Sequence, residues 1–572
     1  MAEHHGSWNG KRVLRTTASV VIGMALLVSC APRDDYKPGI YGDLVAARHA
    51  RSVEDMDSAL SYFNDALKHE PVGDAVAGEA FHLALMEGRY EMAERLARKL
   101  DASGDGDSVT HMFLAIVAFK NKQYDQAYAF ADQVNGGGFD AFLAPLLKGW
   151  VATVQGQHDK ALDELLPLSR VGFFDRFRRE HTAHMLRFSG QIAEAELAYG
   201  QVLSSGTMTG FQSLLSYAEL MLRRDDREGA IRLLKPYMAR WGDNVRLKNM
   251  YERLVDGRAA PSLLVDGAAT AIAATVHYSS GQLGTDGAYR PALLYARLGA
   301  YLAPSVEELH LLIGNLYLRE DRVDEALRAF ARVRSDGLFH DQVLFRRVAA
   351  LNSSERYEEA IALLQGEMER NDTPLLHSTI GDLYRINARF SEALVHYDRA
   401  LLGRDDLAEA DWFTVFARGV CYEQLDEWAK AETDLLLAMS LKPDEPQVMN
   451  YLGYSWVDRG YNIKQAREMI EKAHEMEPTS GPIVDSLGWV YFLLGRYDDA
   501  VAKLEQAVTL EPNDAVITDH LGDAYWMVGR RLEARYQWER ALGYDIDDDH
   551  AQKVHDKLSY GLVGVKVTRE GA

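Results

Sequence analysis

Three prolines, Pro443, Pro478 and Pro512, recur at spacings of 35 and 34 residues, and the segments between them are copies of one another. The clearest copies read "NYLGYSWVDRGYNIKQAREMIEKAHEMEP", "DSLGWVYFLLGRYDDAVAKLEQAVTLEP" and "DHLGDAYWMVGRRLEARYQWERALGYD". A repeat of this length is one supersecondary unit, which can bury its apolar face only against neighbouring copies. The repeat therefore predicts a solenoid.

Each repeated position has a physical role in a pair of helices. Gly488 has no side chain, so a second helix can approach the first closely at that point. Tyr491 lies one turn later on the same face. Gly495 is placed to end the first helix, and Pro512 ends the second. This spacing is the tetratricopeptide pattern of helix-turn-helix units.

The pattern continues upstream. "IGNLYLREDRVDEALRAFARV", "IGDLYRINARFSEALVHYDRAL" and "ARGVCYEQLDEWAKAETDLLLAMSLKP" keep the same offsets, and weaker copies such as "MDSALSYFNDALKHEP" and "QYDQAYAFADQV" extend towards the N-terminus. Roughly fourteen units fit between about residues 42 and 548 at this period. We therefore predict an all-α, right-handed superhelical tetratricopeptide solenoid.

One stretch interrupts the period. Residues 255–290 are rich in Gly, Ala and Ser, which predicts a lengthened loop with an irregular unit. We interpret this stretch as a joint between a degenerate N-terminal solenoid at 42–254 and a C-terminal solenoid at 291–548. Residues 549–572 predict a capping helix and a polar tail.

The first thirty residues have the order of an export signal. A basic region precedes the apolar run "ASVVIGMALLV", which is shorter than the roughly 20 residues that span a bilayer. The run ends in Leu27, Val28, Ser29 and Cys30, which resemble the lipobox of bacterial lipoproteins, so residues 1–29 are interpreted as a signal peptide and 30–41 as a tether. Ala31 follows the cysteine, and the resemblance then implies the periplasmic face of the outer membrane. The alternative is an ordinary secretory signal with a chance cysteine.

No catalytic chemistry is apparent in the sequence. The formal charge of −22 argues against nucleic acid as the main partner, and two cysteines cannot build a cysteine-based metal site. Nucleotide, metalloprotease and hydrolase motifs are absent. His181 and His184 share a helix face without a third ligand nearby, and His277 with Asp286 is a thin basis for an enzyme in the irregular stretch. We expect no enzyme, no cofactor and no metal.

The remaining candidate is a surface. In such a superhelix the first helix of each unit lines the concave face, and aromatic residues and carboxylates recur there over four units. The predicted peptide-binding groove consists of Phe413, Phe416, Asn450, Tyr454, Asp458, Asp485, Trp489, Phe492, Asp519, Asp523 and Trp526. Its carboxylates favour a basic or polar partner segment. The alternative is that these rings pack on the adjacent first helix and bind nothing.

From about Leu401 onward the chain resembles a known family. "NYLGYSWVDRG", "DSLGWVYFLLGRYDDAV" and "DHLGDAYWMVGRRLEARYQW" in succession are similar to the C-terminal signature of large proteobacterial, chiefly alphaproteobacterial, tetratricopeptide outer-membrane lipoproteins. One relative in that group is an adaptor that presents peptidoglycan hydrolases to a periplasmic carboxy-terminal processing protease. The resemblance implies a lipid-anchored scaffold or adaptor for protein partners. The alternative is a subunit or holdase in the transport or assembly of outer-membrane proteins or lipoproteins.

Overall fold

The computed structural model describes residues 40–68, 72–135, 137–170, 172–204, 211–261, 265–403 and 407–562. Within these ranges the chain forms thirty α-helices and two short 3-10 helices, and it contains no strand there. The predicted all-α repeat fold is confirmed. The predicted signal peptide and Cys30 lie outside the described residues.

The helices follow one another as α1 (Ile40–Ser52), α2 (Met56–Ala66), α3 (Val72–Met86), α4 (Tyr90–Ser103), α5 (Ser108–Lys120), α6 (Tyr124–Asp132), α7 (Phe139–Val154), α8 (His158–Glu164), α9 (Gly172–Phe188), α10 (Ile192–Ser204), α11 (Phe211–Arg223), α12 (Arg227–Trp241), α13 (Val245–Val255), α14 (Ala268–Thr285), α15 (Tyr289–Leu302), α16 (Glu307–Arg319), α17 (Val323–Phe330), α18 (His340–Ser353), α19 (Tyr357–Met368), α20 (Pro374–Ile386), α21 (Phe390–Leu401), α22 (Trp412–Gln424), α23 (Trp428–Leu441), α24 (Pro446–Asp458), α25 (Ile463–Met476), α26 (Gly481–Leu493), α27 (Tyr497–Leu510), α28 (Ala515–Met527), α29 (Arg531–Ala541) and α30 (Asp548–Tyr560). None of these helices combines the length and apolar character needed to cross a bilayer.

A residue with positive φ stands in the turn that joins the first helix of each pair to the second. These residues are Glu54, Gly88, Lys122, Gly156, Gly190, Asp225, Gly287, Asp321, Glu355, Ala388, Asp426, Gly460, Gly495 and Gly529. The left-handed backbone ends the first helix and reverses the chain, so this residue marks the phase of the repeat. Half of the fourteen positions are not glycine, which accounts for the weak glycine signal of several units.

The fourteen marked turns correspond to fourteen helix pairs, from α1–α2 to α28–α29. The interruption lies between Asp225 and Gly287. There α13 ends before Gly257, and no second helix follows it among the described residues up to α14. The irregular unit is thus α13 with the stretch after it, whereas α14 and α15 form a regular pair. α30 packs on α29 where the first helix of a further unit would stand.

The helices divide into two compact units, one ending at Arg356 and the other beginning at Tyr357. We call them the N-terminal and the C-terminal unit. The division falls in the turn between α18 and α19, whereas the period slip in the sequence pointed to 255–290. The physical reason is that α14 to α17 pack back on the helices that precede them.

In the N-terminal unit, α15 lies against α3 and α5, which are first helices of early pairs. The Arg297 guanidinium donates from Nε to the Met86 carbonyl oxygen at 2.9 Å, and Lys120 Nζ donates to the Tyr301 carbonyl oxygen at 2.6 Å. The rings of Tyr90 and Tyr301 lie 4.8 Å apart. This side of α3 and α5 is therefore covered by the chain's own later helix.

α14 covers the next two first helices, α7 and α9, in the same way. Its first turns are rich in alanine, and the residues from Ala268 to Ala274 are buried, except Ala269, which is half-buried. Small side chains let a helix come close to the surface beneath it, so the Gly, Ala and Ser content of this stretch serves close helix packing. The first-helix face of the N-terminal unit, defined as the side formed by α3, α5, α7 and α9, is thereby filled from within.

A buried ion pair links the helices after α15 back to the early helix α3. Arg322 donates to both carboxylate oxygens of Glu87 at 2.9 Å, and the two side chains are only 7% and 9% exposed. Tyr317 donates from its hydroxyl to the Met86 carbonyl oxygen at 3.0 Å beside them. The pair joins the start of α17 to the end of α3.

We expect Arg322→Met to destabilise the N-terminal unit by about 3–5 kcal/mol, because it leaves the buried Glu87 carboxylate unpaired. The free energy of unfolding is measured on the full chain by guanidinium titration. Adding Glu87→Leu to Arg322→Met should restore most of the loss. The matched control is Arg328→Met on α17, the helix that Arg322 caps, since Arg328 is 63% exposed and its pair with Glu325 is at the surface. Equal losses for both arginines would contradict the assignment.

Candidate partner-binding site of the C-terminal unit

The predicted groove residues lie on the first helices α22, α24, α26 and α28, but most of them are covered. Five are buried, namely Phe416, Asp485, Phe492, Asp519 and Asp523. Five are half-buried, namely Phe413, Asn450, Tyr454, Trp489 and Trp526, and Asp458 is exposed. The stripe expected to face an open groove thus also forms part of the packing between successive units.

Trp489 shows why the stripe is covered. Its indole stacks on the His520 imidazole of α28, with ring centres 4.0 Å apart and planes 16° apart. It also stacks on Phe492, with ring centres 4.8 Å apart. Successive first helices are near enough for a side chain on one to reach the next, so these rings pack on the adjacent first helix. Phe416 does the same with Tyr451 of α24, at 5.5 Å between ring centres.

Asp485 is held by the same histidine. Both of its carboxylate oxygens lie 3.0 Å from His520 Nδ1, and both residues are buried. Burial alone would lower the pKa of His520. The attraction of Asp485 and the hydrogen bond to it outweigh this and raise that pKa above its ordinary value, with Asp519 and Asp523 adding to the effect.

Asp519 and Asp523 form ion pairs with basic side chains of α30. Lys557 Nζ lies 2.7 Å from Asp519 and 2.8 Å from Asp523, and His550 Nε2 lies 2.9 Å from Asp519. The pKa of Asp523 is raised to about 6. Burial is the main cause and the charge of Asp519 contributes, whereas the attraction of Lys557 acts in the opposite direction. The three buried carboxylates of the stripe are therefore compensated within the chain and are not free for a basic partner.

Neither His520 nor Lys557 stands out in the sequence as a functional residue. His520 follows Asp485 by 35 residues and Lys557 follows Asp519 by 38, and both spacings are close to one repeat length. The sequence signal for these two ion pairs is a basic residue about one repeat length after an acidic residue. This signal predicts a contact only when it is known which side chains of adjacent helices face each other.

The α24 patch, which we define as Asn450, Tyr454 and Asp458, is different. Asn450 Oδ1 is buried and has no hydrogen-bond partner among the residues that the structure describes, and Asp458 is 62% exposed on its side chain. Burial raises the pKa of the Tyr454 hydroxyl, and repulsion from the carboxylates Asp485, Asp458 and Glu423 raises it further. The patch is thus a half-open surface with acceptors and net negative charge.

His181 and His184 of the N-terminal unit are structural. Trp150 Nε1 donates to His181 Nδ1 at 2.8 Å, and His181 Nε2 lies 2.7 Å from Thr275 Oγ1. An indole N–H can only donate, so His181 Nδ1 is the acceptor and its proton is on Nε2. His184 Nδ1 is 2.8 Å from the Tyr199 hydroxyl. The described residues contain no cluster of three or more side chains suited to a metal ion.

The Asp485–His520 pair predicts a pH-dependent effect of His520→Gln. A raised pKa means that folding favours the protonated imidazole, so this contribution is complete below the ordinary pKa of about 6.5 and is lost as the pH rises through the raised value. The variant should therefore lose more unfolding free energy at about pH 5.5 than at about pH 8.5. Guanidinium titrations at both pH values measure this, with His49→Gln, at an exposed position, as control. A loss that does not change with pH would contradict a charged His520.

Comparison with known proteins agrees with the repeat seen in the structure. Residues 488–529 match the TPR repeat family and residues 311–372 match the tetratricopeptide repeat family. A TPR repeat-containing protein of Pseudomonas aeruginosa is 28% identical over 201 residues, which cover 34% of this chain and 32% of that protein. The present chain thus spans about a third of that relative.

Solved structures with similar helical repeats include three at low identity. A tetratricopeptide repeat protein from Parabacteroides merdae is 15% identical over 44% of this chain and 97% of its own, with a TM-score of 0.36. A thermophilic TPR protein in Thermus thermophilus is 22% identical over 34% of this chain and 100% of its own, at 0.28. A chain of the Cut9–Hcn1 hetero-tetramer of the APC/C is 15% identical, and the match covers 95% of this chain and 99% of that chain with a TM-score of 0.38. With its paired helices and two matched repeat families, this chain is an all-α TPR-repeat protein.

Proposed function

We propose that the chain is a lipid-anchored scaffold for protein partners on the periplasmic face of the outer membrane, and that the C-terminal unit binds the partner. TPR repeats indicate a protein–protein interaction scaffold, and TPR proteins bind protein partners. The finer role follows the family resemblance of the C-terminal repeats. In that role the scaffold presents cell-wall hydrolases to a carboxy-terminal processing protease.

The observation that carries the binding proposal is a difference between the first-helix faces of the two units. In the N-terminal unit this face is filled by α14 and α15. In the described part of the C-terminal unit, α20 to α28 pack chiefly against their neighbours in sequence. Leu375 is 58% exposed and Ile386 is 47% exposed there. They are eleven residues apart on α20, which is about three helical turns, so both lie on one stripe.

An exposed apolar stripe and a negatively charged patch are typical features of protein-binding surfaces. The α24 patch supplies the charge, and the half-buried Phe413 ring stands at the start of the intervening first helix, α22. Arg385 of α20 lies with its guanidinium carbon 5.9 Å from the centre of that ring. These features support binding along the first-helix face of α20, α22 and α24.

Leu375→Glu with Ile386→Glu should remove the partner without unfolding the chain, because both side chains are largely exposed. The measurement is a cross-linked pull-down from detergent extracts with the full chain, read by mass spectrometry. Val395→Glu is the matched control, since Val395 is 61% exposed but lies on the second helix α21. We expect the double variant to lose a processing protease and cell-wall hydrolases that the control retains.

The pull-down also separates the two candidate roles. Recovery of barrel-assembly or lipoprotein-transport components instead would support the subunit or holdase role and contradict the adaptor. Partners that remain bound to the double variant at the level of the control would contradict binding by the C-terminal first-helix face.

The anchor is tested at Cys30. Its support is the sequence "LVSC" behind a basic region and a short apolar run, which is the arrangement that lipoprotein processing requires. Cys30→Ala should move the protein from the membrane fraction to the soluble fraction of the envelope, and metabolic labelling with palmitate should disappear. Cys421→Ala, which removes the other, buried cysteine, is the control. Unchanged labelling of the Cys30 variant would contradict lipidation there.

A further inference from the structure

Successive first helices of the C-terminal unit carry a polar side chain at the same repeat position. On α24, α26 and α28 these residues are Asn450, Asp485 and Asp519. Asp485 pairs with His520 of the next first helix, and Asp519 forms an ion pair with Lys557 of α30. In each case the following helix supplies a cation.

The following helix supplies no such group to Asn450. Counted from the N-caps Asp514, Asp547 and Ser480, the places on α26 that correspond to His520 and Lys557 hold Ser486 and Val490. The Ser486 hydroxyl donates to the Pro482 carbonyl oxygen at 2.9 Å, and the Val490 side chain is apolar. Within the described part of the chain, Asn450 Oδ1 accordingly remains a buried acceptor without a donor. Leaving a buried acceptor unpaired costs on the order of 1–3 kcal/mol.

The charges around Tyr454, which lies four residues after Asn450 on α24, select the kind of donor. Asp458 is on the same helix and Glu423 is on the preceding first helix, and with Asp485 they act on the Tyr454 hydroxyl as negative charges. The neighbouring cation is Arg459. Its guanidinium pairs with Glu423, at 3.1 Å between nitrogen and carboxylate oxygen, and lies 3.8 Å from a carboxylate oxygen of Asp458. The α24 patch therefore repels a carboxylate or phosphate and attracts a cation.

We propose that the α24 patch binds a lysine or arginine side chain of a partner segment. The cationic group donates to Asn450 Oδ1 and to the Tyr454 hydroxyl oxygen, and Asp458 balances its charge. It takes the place beside α24 that Lys557 takes beside α28. This inference rests on the proposed function and adds the chemistry that the first-helix face selects.

The test uses random dodecapeptides, acetylated at the N-terminus and amidated at the C-terminus, selected on the immobilised full chain. Selected peptides should share a lysine or arginine. Replacing it by acetyl-lysine or citrulline should weaken binding by about tenfold or more, since a charge-assisted hydrogen bond to a buried acceptor is lost. Asn450→Leu should weaken the same peptides by about as much while the protein's unfolding free energy stays equal or rises, because an unpaired buried acceptor is removed.

Asn352→Leu is the matched control, since Asn352 Oδ1 is also buried and finds no partner in the described ranges, but lies on α18 in the N-terminal unit. It should leave peptide binding unchanged. Tyr454→Phe removes only a hydroxyl and should weaken binding in the same direction as Asn450→Leu.

The outcomes separate this inference from the proposed function. Peptides that bind without a cation, or that bind the Asn450→Leu protein with full affinity, overturn the inference and leave the scaffold role standing. If no peptide is selected and the Leu375 and Ile386 variant keeps every partner in the pull-down, both fail.

Discussion

Burial between neighbouring helix pairs is the constraint on which the rest of the structure depends. A single pair of helices cannot cover its own apolar face, so each pair is stable only when stacked on the next. Stacking aligns the first helices and brings the side chains of one within reach of the next. The polar contacts of Asp485 and Asp519 with the following helix result directly from this alignment.

The same constraint has different results in the two units. In the N-terminal unit the alanine-rich α14 and its partner α15 return to the first helices α3, α5, α7 and α9 and cover them, with the Arg322–Glu87 pair at the end of the return. In the C-terminal unit the described first helices keep an exposed stripe on α20 and a negative patch on α24. The first-helix face of the N-terminal unit is covered by helices of the same chain, so partner binding is proposed for the C-terminal unit.

Much of the fold follows from the sequence, because period and helix pairing are local properties. The repeat at 34 residues predicted the units and their approximate number. It was weaker in the N-terminal copies, where Glu54, Lys122 and Asp225 take the left-handed turn position that glycine holds elsewhere. The packing of α14 and α15 on much earlier helices could not be predicted, because the His181–Thr275 contact of α14 spans 94 residues and the Tyr90–Arg297 contact of α15 spans 207.

For the candidate site, helical spacing correctly assigned the chosen residues to the first helices, but it could not separate buried from open positions. Phe492 and Asp485 share a stripe with Trp489, yet their surroundings depend on the adjacent helix, where His520 stands. The peptide-binding role of the eleven residues remains a prediction, now concentrated on Asn450, Tyr454 and Asp458.

The most direct test of this account is hydrogen–deuterium exchange of the full chain with and without a partner captured in the pull-down. The account predicts slower exchange on the partner's binding in α20, α22 and α24, and unchanged exchange in α3, α5, α7 and α9. Protection confined to the N-terminal first helices would contradict it, because it would mean that α14 and α15 leave that face for the partner.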